Sequence, residues 1–186
     1  LHHDVYQRPT SYFYGSHLAS SGTPTEAERK LLEPFRTILP TELFNEPFNP
    51  PRSSGAGYNR NAKLTAMELF QQAGWQYEDG ALRNTDGEKF TLRFVVRNPT
   101  ERRLVLPYTN YLQQIGIDST IRMVETAQFV NLMRESEFDV TFGRFGAAIS
   151  PESGMHGRLH SAGSAFALTN APGINHPAVD ALVKEV

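Results

Sequence analysis

The sequence predicts an α/β fold with an open sheet built on a βαβαβ core with flanking helices. Three segments place apolar or aromatic residues at every second position, which is the period of a half-buried strand. They are FTLRFVVR (90–97), IDSTIRMV (117–124) and FDVTFGRF (138–145). The stretches between them have apolar residues at helical spacing. Strands joined through helices are usually parallel, with right-handed connections.

The two connecting segments each carry signals of a helix. In TERRLVLPYTNYLQQIG (100–116), Thr100 is placed to cap the start and Gly116 to cap the end, while Pro107 predicts a bend. The second segment predicts a shorter helix behind a Thr126 cap, with Phe129 on its apolar face. An alternating order of strands and helices therefore runs through the middle of the chain.

Length and composition exclude several classes of protein. A chain of 186 residues can bury one substantial core, so we expect a single domain over 1–186. Its 18 basic and 20 acidic residues are mixed along the chain, and this balance predicts no nucleic-acid partner and no polybasic membrane patch. The absence of cysteine excludes disulfides, thiolate nucleophiles and cysteine metal sites.

The domain divides into three parts by composition. Residues 1–58 predict an irregular and helical wrap, 59–145 the α/β core, and 146–186 a long loop and a final helix. The chain begins at Leu1 without a leader and stops inside a helical pattern, so we expect both ends to be cut from a longer protein.

The first part contains a strong helix signal. Thr23, Pro24 and Glu26 fit an N-cap, a first-turn proline and the glutamate of a capping box, so a helix is predicted from there to about residue 33. The proline-rich stretch 34–51 prevents long regular elements, but its aromatic residues predict an ordered segment rather than a disordered linker.

The stretch before the first predicted strand contains a helix and two turns. The helix is predicted from about 60 to 73, with Ala66, Leu69, Phe70 and Ala73 on one face. Two Asp-Gly pairs, at 79–80 and 86–87, are typical of turns between extended segments. After the last strand, Pro177 opens the final helix, with Asn175 or His176 as its cap.

Candidate functional residues lie where the strands end, since open α/β sheets bind ligands at the carboxyl ends of their strands. Function is therefore expected just after Arg97, Val124 and Phe145. Arg144 has the geometry to bind a carboxylate ligand through two hydrogen bonds or to pair with Glu152, and both interpretations stay open.

A second candidate group lies in the late loop. His156 and His160 are four residues apart and are suited to metal binding or acid-base catalysis together with Glu152. Gly154 and Gly157 argue against a helix there, so a solvated loop with local hydrogen bonds is the alternative. The glycines of RSSGAGYNRN (52–61) lack the context of a phosphate-binding loop. We predict no catalytic residue, no metal and no cofactor.

Four runs in a fixed order carry a resemblance to a known family. They are YQRPTSYFYGSHLASSGTPTEAERKLLEPF (6–35), GAGYNRNAKLTAMELFQQAGWQYEDGAL (55–82), NYLQQIGIDSTIRMVETAQFVNLMRESEFDV (110–140) and GINHPAVDALVKEV (173–186). The chain resembles extracellular solute-binding protein family 5, the oligopeptide-, dipeptide- and nickel-binding components of ABC importers, and within it the YejA-like subgroup. The most specific parts are SYF…LASSG…LEPF, the pattern L-x-x-I-G-I and the pair Phe138-Asp139.

The resemblance implies a bilobed periplasmic-binding-protein type II fold that closes around its solute. This chain would be most of the C-terminal lobe, with its late loop on the cleft side, and its partners would be the missing N-terminal lobe and an inner-membrane ABC permease. It implies a protein that is periplasmic, or exported and membrane-associated, and that captures a peptide-like solute rather than acting as an enzyme. Their position near the strand ends, rather than a family motif, leads us to expect that Arg144, Phe145 and Glu152 bind the solute from this lobe. Dipeptide-binding relatives carry Trp-x-x-Asp after the last strand, whereas this chain has RFGAAISPESG (144–154).

Two functions of other classes are the alternatives. One is a small hydrolase that uses Glu152 with His156 or His160. The other is the effector-sensing domain of a transcription regulator, which requires a DNA-binding segment that this sequence does not contain.

Overall fold

The computed structural model describes residues 8–51, 59–143, 152–165 and 169–185; the side chains of 152–153 and 164–165 are outside this description. The described residues form two compact units. The sheet unit consists of 59–143, and the helical unit consists of 8–51, 152–165 and 169–185. The single domain expected over 1–186 stays a prediction.

The sheet unit contains a three-stranded parallel sheet with helices between its strands. The order of the strands is β4-β3-β5, so the first predicted strand lies at the centre. The predicted strand, helix, strand, helix, strand order is confirmed. The elements of this unit are α3 (Arg60–Gln72), β1 (Gln76–Glu78), β2 (Ala81–Arg83), β3 (Thr91–Val96), α4 (Pro99–Gln113), β4 (Asp118–Met123), α5 (Thr126–Glu135) and β5 (Val140–Thr141).

The central strand β3 is covered on both faces rather than on one. Phe94 and Val96 join a core cluster with Val105 of α4. Val95 points the other way and joins a second cluster with Leu132 of α5. Since helices cover both sides of a parallel sheet, three consecutive residues of its central strand are buried.

The last strand begins later than the alternating pattern predicts. Only Val140 and Thr141 pair with β3, and Phe138 and Asp139 lie outside the strand. The reason is that the Asp139 carboxylate, rather than a strand carbonyl, accepts the backbone N–H of Arg93. The predicted end of this strand, at 144–145, lies outside the described residues.

Two predicted helix caps are wrong by one or two residues. Asn98, not Thr100, caps α4, because its side chain accepts the N–H of Glu101 and Pro99 then takes the first helical position. The helix runs on through Pro107 to Gln113. In α5, Thr126 is the first helical residue and the N-cap is Glu125, whose side chain makes no capping hydrogen bond.

The first helix and hairpin of the sheet unit follow the sequence closely. Asp79 and Gly80 both have positive φ, 48° and 79°, which is the conformation of a tight turn between β1 and β2. The face predicted for α3 is partly wrong, since Leu69 is 59% exposed. Ala66 and Phe70 pack against the core as predicted, and Met67 joins them, so the apolar stripe is rotated around the helix away from Leu69.

The helical unit contains short helices linked by turns. Its elements are α1 (Glu26–Leu32), a 3₁₀ turn (Glu33–Phe35), α2 (Glu42–Asn45), α6 (Glu152–Leu159), a second 3₁₀ turn (Ser161–Ala165) and α7 (Pro177–Lys184). The final helix begins at Pro177 as predicted, and the Nδ1 atom of His176 accepts the N–H of Ala178 at 3.2 Å. His176 is therefore the cap.

The capping box of α1 is displaced by two residues from the prediction. Thr25 is the N-cap, its hydroxyl accepts the N–H of Glu28, and the Glu28 carboxylate accepts the N–H of Thr25 at 2.6 Å. The sequence contains two overlapping patterns, from Thr23 to Glu26 and from Thr25 to Glu28, and only the second one starts the helix.

The late loop contains a helix that the sequence argued against. Residues Glu152–Leu159 are helical despite Gly154 and Gly157. A methyl group at Gly163 would collide with the carbonyl oxygen of Gly157, so this pair allows the following 3₁₀ turn to pack directly on the helix backbone. Glycine here serves close approach rather than helix termination.

Candidate functional site: the carboxyl edge of the parallel sheet

The three parallel strands end at one edge of the sheet, which we call the strand rim. Arg97 follows β3, Val124 follows β4, and Phe142 follows β5. The N–H of Val124 donates to the carbonyl of Val96 at 3.0 Å, so the first two strands stay paired up to this edge. Both α4 and α5 also begin here, which places two helix N-termini at the rim.

Arg97 lies at the rim, just before α4, and contacts residues of α4 and α5. Its backbone N–H donates to Oε2 of Glu101 at 2.7 Å, and its Nε and Nη2 donate to Oε1 at 3.2 and 2.7 Å. The guanidinium also lies over the ring of Phe129, 4.9 Å from its centroid. Arg97 is thus an internal partner of α4 and α5, and its charge is already compensated.

The same contacts set the charge of Glu101. Burial on its own raises the pKa of this carboxyl, but hydrogen bonds from the backbone and guanidinium of Arg97 outweigh it, and the pKa falls below its ordinary value. Glu101 is therefore ionised at neutral pH. An anionic group at this helix N-terminus also interacts favourably with the helix dipole.

An apolar concavity of about 220 Å³ lies beside the rim, between β3, β5 and α4. Its walls are almost wholly apolar; the hydroxyl of Thr141 donates to the carbonyl of Val95 at 2.8 Å. A space of this size and polarity takes an apolar group rather than an ion. Its lining residues include Val96, Leu104, Tyr108, Val140 and Phe142.

The residues predicted to bind a solute are not placed by this structure. Arg144 and Phe145 lie outside the described residues. Glu152 is the first residue of α6, and its side chain also lies outside the description. Their role in binding stays a prediction, and so does the choice between a ligand and Glu152 as the partner of Arg144.

The two candidate histidines come together in the helical unit. The rings of His156 and His160 stack with centroids 4.3 Å apart, which corrects the solvated loop considered from the sequence. Nδ1 of His160 accepts the N–H of Ala162 at 3.0 Å, and its buried Nε2 has no hydrogen-bond partner within the described ranges. A neutral imidazole that accepts at Nδ1 carries its proton on Nε2.

A neighbouring carboxylate is engaged elsewhere. Asp180 accepts both the N–H and the hydroxyl of Ser161, at 2.7 and 2.6 Å, and lies 3.7 Å from Nδ1 of His160. These hydrogen bonds from Ser161 lower the pKa of Asp180. Since the Ser161 hydroxyl donates to Asp180 rather than to a histidine, the group is not arranged as a nucleophile with its base.

The described parts of the chain contain neither a metal-binding cluster nor a membrane-spanning helix. No three of their histidine and carboxylate side chains converge in a way that fits a metal ion. None of the described helices combines the length and the apolar character that a membrane span requires.

Sequence reasoning located the rim but missed how it is built. The spacing of Arg97 and Glu101 across the end of a strand and the first turn of a helix was the available signal. It is a weak one, because only the fold brings Phe129 under the guanidinium.

The sheet and its rim lie within a part of the chain that matches a known family. Residues 34–166 match the family model described as bacterial extracellular solute-binding proteins, family 5 Middle. The chain belongs to solute-binding protein family 5. This match covers the whole described sheet unit and the late loop as far as residue 166, and it confirms the resemblance seen in the sequence.

Two relatives of known sequence match the entire chain. The probable peptide-binding protein YejA of Agrobacterium fabrum is 33% identical over 188 residues, which is 100% of this chain and 31% of that protein. YejA of Escherichia coli is 31% identical over 187 residues, again 100% of this chain and 31% of the relative. The chain therefore spans less than a third of the length of these relatives.

A solved structure of more distant sequence shows the fold. The oligopeptide-binding protein AppA of Bacillus subtilis, in complex with a nonapeptide, is 20% identical, with 73% of this chain and 29% of that chain aligned at a TM-score of 0.56. The chain has the α/β lobe fold of type II periplasmic-binding proteins. Family 5 is a family of solute-binding proteins rather than of enzymes.

Proposed function

We propose that this chain is part of the substrate-binding component of an ABC-type peptide importer, which captures an oligopeptide-like solute and delivers it to an inner-membrane permease. The observation that carries the proposal is the match to family 5 over 34–166. Identity of 33% to a probable peptide-binding protein over the full chain supports the peptide as the solute. The family description as extracellular proteins supports a periplasmic location.

The solute would bind against the strand rim. We propose Arg144, Phe145 and Glu152 as the ligand-binding residues of this lobe. Arg144 and Phe145 follow β5 directly in the sequence, β5 ends at the rim, and Glu152 is the next carboxylate along the chain. The compensated charge of Arg97 supports this choice, since a guanidinium already held by Glu101 is less available to a solute. The opposite wall would come from an N-terminal lobe of the parent protein, closing on the solute as hinged binding proteins do.

The proposal is tested on the full-length parent protein. Because a ligand that binds only the native state stabilises it, a peptide solute at about 100 times its Kd should add about 2.7 kcal/mol to the free energy of unfolding. We expect the melting temperature to rise with a panel of peptides and to stay unchanged with nickel or a sugar. A rise with nickel or a sugar and with no peptide would overturn the peptide assignment.

The proposed binding residues are tested separately. Arg144→Gln should weaken peptide binding measured by calorimetry by at least about tenfold if the side chain makes a charge-assisted hydrogen bond to the solute. The matched control is Arg103→Gln, since Arg103 is an exposed arginine on α4. Equal affinities for both variants would remove Arg144 from the site while leaving the importer function in place.

A further inference from the structure

The helical unit contains a groove of about 860 Å³ that the proposed solute site does not use. It lies between α1, α2, the stretch 20–24 that leads into α1 and the stretch 46–49 that follows α2. Leu182 of α7 also lines it. Its volume is within the range of about 300 to 1,000 Å³ that is usual for ligand clefts.

The groove exposes large apolar side chains. Phe48 is 72% exposed, Leu31 48% and Leu43 37%, and all three line it. In the same segment Phe44 is only 1% exposed. This stretch of chain therefore buries one of its two phenylalanines and exposes the other. Apolar side chains grouped in a concave surface are typical of an interaction site.

The charges of the groove all have one sign. Among its described lining residues, Glu28, Glu42 and Glu46 are acidic and none is basic. Glu42 is the first residue of α2 and Glu46 is its C-cap, and their carboxylates have no partner among the residues that the structure describes. Hydrogen bonds from Thr25 lower the pKa of Glu28, so this carboxylate is negative at neutral pH as well.

The cations of α1 and of the turn after it are directed to other partners. Lys30 pairs with Glu26 at 3.1 Å, and Arg36 pairs with Glu33 at 3.0 Å. Arg29 donates to the carbonyls of Pro24 and Phe44. The negative charge of the groove is therefore not neutralised by these side chains.

We propose that this groove is a docking site for a basic amphipathic segment of a partner protein, in which apolar side chains alternate with lysine or arginine. The apolar side chains of the segment would cover Phe48, Leu31 and Leu43. Its cations would face the three glutamates, so that opposite charges meet at the edge of the interface. A second copy of this chain fits less well, because a two-fold contact would bring two sets of three carboxylates together.

The test uses the 186-residue chain and two labelled nonapeptides, one alternating leucine with lysine and one alternating leucine with glutamate. Fluorescence anisotropy should show binding of the leucine-lysine peptide, weakening as salt is added, and no binding of the leucine-glutamate peptide. Glu42→Gln and Glu46→Gln should each weaken binding about two- to fivefold. Phe48→Ala should weaken it by at least about fivefold.

Matched controls separate the groove from the rest of the surface. Glu68→Gln and Leu69→Ala replace an exposed glutamate and an exposed leucine of α3, in the sheet unit, and should leave binding unchanged. All five positions are exposed, so the variants should retain the circular dichroism spectrum of the parent chain.

Three results would overturn the proposal. The first is equal binding of the two peptides, or binding of neither. The second is binding that Arg144→Gln weakens and the groove variants do not, which would place the peptide in the proposed solute site instead. The third is a dimer in sedimentation velocity that Phe48→Ala dissociates, which would make a second copy the occupant. None of these results would contradict the proposed importer function, and the second would support its solute site.

Discussion

Arg93 and Asp139 fasten the last strand of the parallel sheet to its central strand. The Asp139 carboxylate accepts the backbone N–H of Arg93 at 2.7 Å and its Nε and Nη2 atoms at 3.1 and 3.2 Å. In return the N–H of Asp139 donates to the carbonyl of Arg93 at 3.1 Å. Because β5 pairs with β3 through only two residues, this contact contributes a large part of their polar connection.

Replacing Asp139 should weaken the attachment of β5. We expect Asp139→Ala to lower the free energy of unfolding by about 1 kcal/mol, because the backbone N–H of Arg93 loses its acceptor. Urea denaturation measures the change. Asp118→Ala is the control, since Asp118 is an exposed aspartate of β4, and it should alter stability by less than about 0.5 kcal/mol. Equal losses for the two variants would contradict a special role for Asp139.

The same contact predicts a dependence on acid. Hydrogen bonding from the Arg93 guanidinium is the main cause that lowers the pKa of Asp139, and burial acts in the opposite direction. A carboxyl whose pKa is lowered on folding stabilises the protein above its unfolded value of about 3.9, and this stabilisation is lost as the pH falls below that value. The stability difference between the parent chain and Asp139→Asn should therefore shrink between pH 5 and pH 2.5. A difference that is constant over this range would show that the ionised carboxylate is not what matters.

Gly116 should be the least replaceable glycine of the sheet unit among those described. Its φ is +83°, and an added Cβ would lie 2.7 Å from the backbone nitrogen of Leu82 and 2.8 Å from the ring of Tyr77. Gly74 is the matched control, because its φ is +85° and an added Cβ would meet nothing within 4 Å. We expect Gly116→Ala to cost about 1 to 3 kcal/mol more than Gly74→Ala in thermal or urea unfolding. Similar costs would mean that only the positive φ is responsible.

Asn170 is the corresponding test in the helical unit. It is 2% exposed, its amide donates to the carbonyls of His160 and Ile174, and its oxygen accepts the N–H of Ile174 at 2.9 Å. Asn170→Ala would leave these groups without their partner, at a cost of about 1 to 3 kcal/mol. Hydrogen exchange at the N–H of Ile174 should accelerate. The exposed Asn175→Ala should change neither quantity, and protection of Ile174 that survives in Asn170→Ala would show that another group holds it.

The sequence predicted the order of the sheet well because each strand lies in a segment with alternating apolar residues and the connections are helical. It did not predict that β3 would be covered on both faces, although Phe94, Val95 and Val96 are consecutive apolar residues. A continuous apolar run marks a central parallel strand, whereas alternation alone indicates a strand with one buried face.

The sequence did not predict the first residue of a helix correctly where two neighbouring residues were equally suitable as the N-cap. Thr23 and Thr25 both fit a capping box, and both Asn98 and Thr100 precede an apolar helical pattern. The residue at which a helix starts depends on which apolar side chains of its first turn become buried. The elements that pack against the helix decide this. In α6 the two glycines lower the helix propensity, yet packing against Gly163 outweighs that preference.

The amino-acid sequence by itself determined the α/β class, the order of the elements and the membership of family 5, because these depend on periodicity and on residues close together in the chain. Only the tertiary structure decided that Glu101 holds Arg97 over the ring of Phe129. It also decided that the Asp139 carboxylate, rather than a strand carbonyl, accepts the N–H of Arg93, and that Phe48 is exposed while Phe44 is buried. Each of these outcomes depends on which side chains meet after folding, and the spacing of residues along the chain does not contain that information.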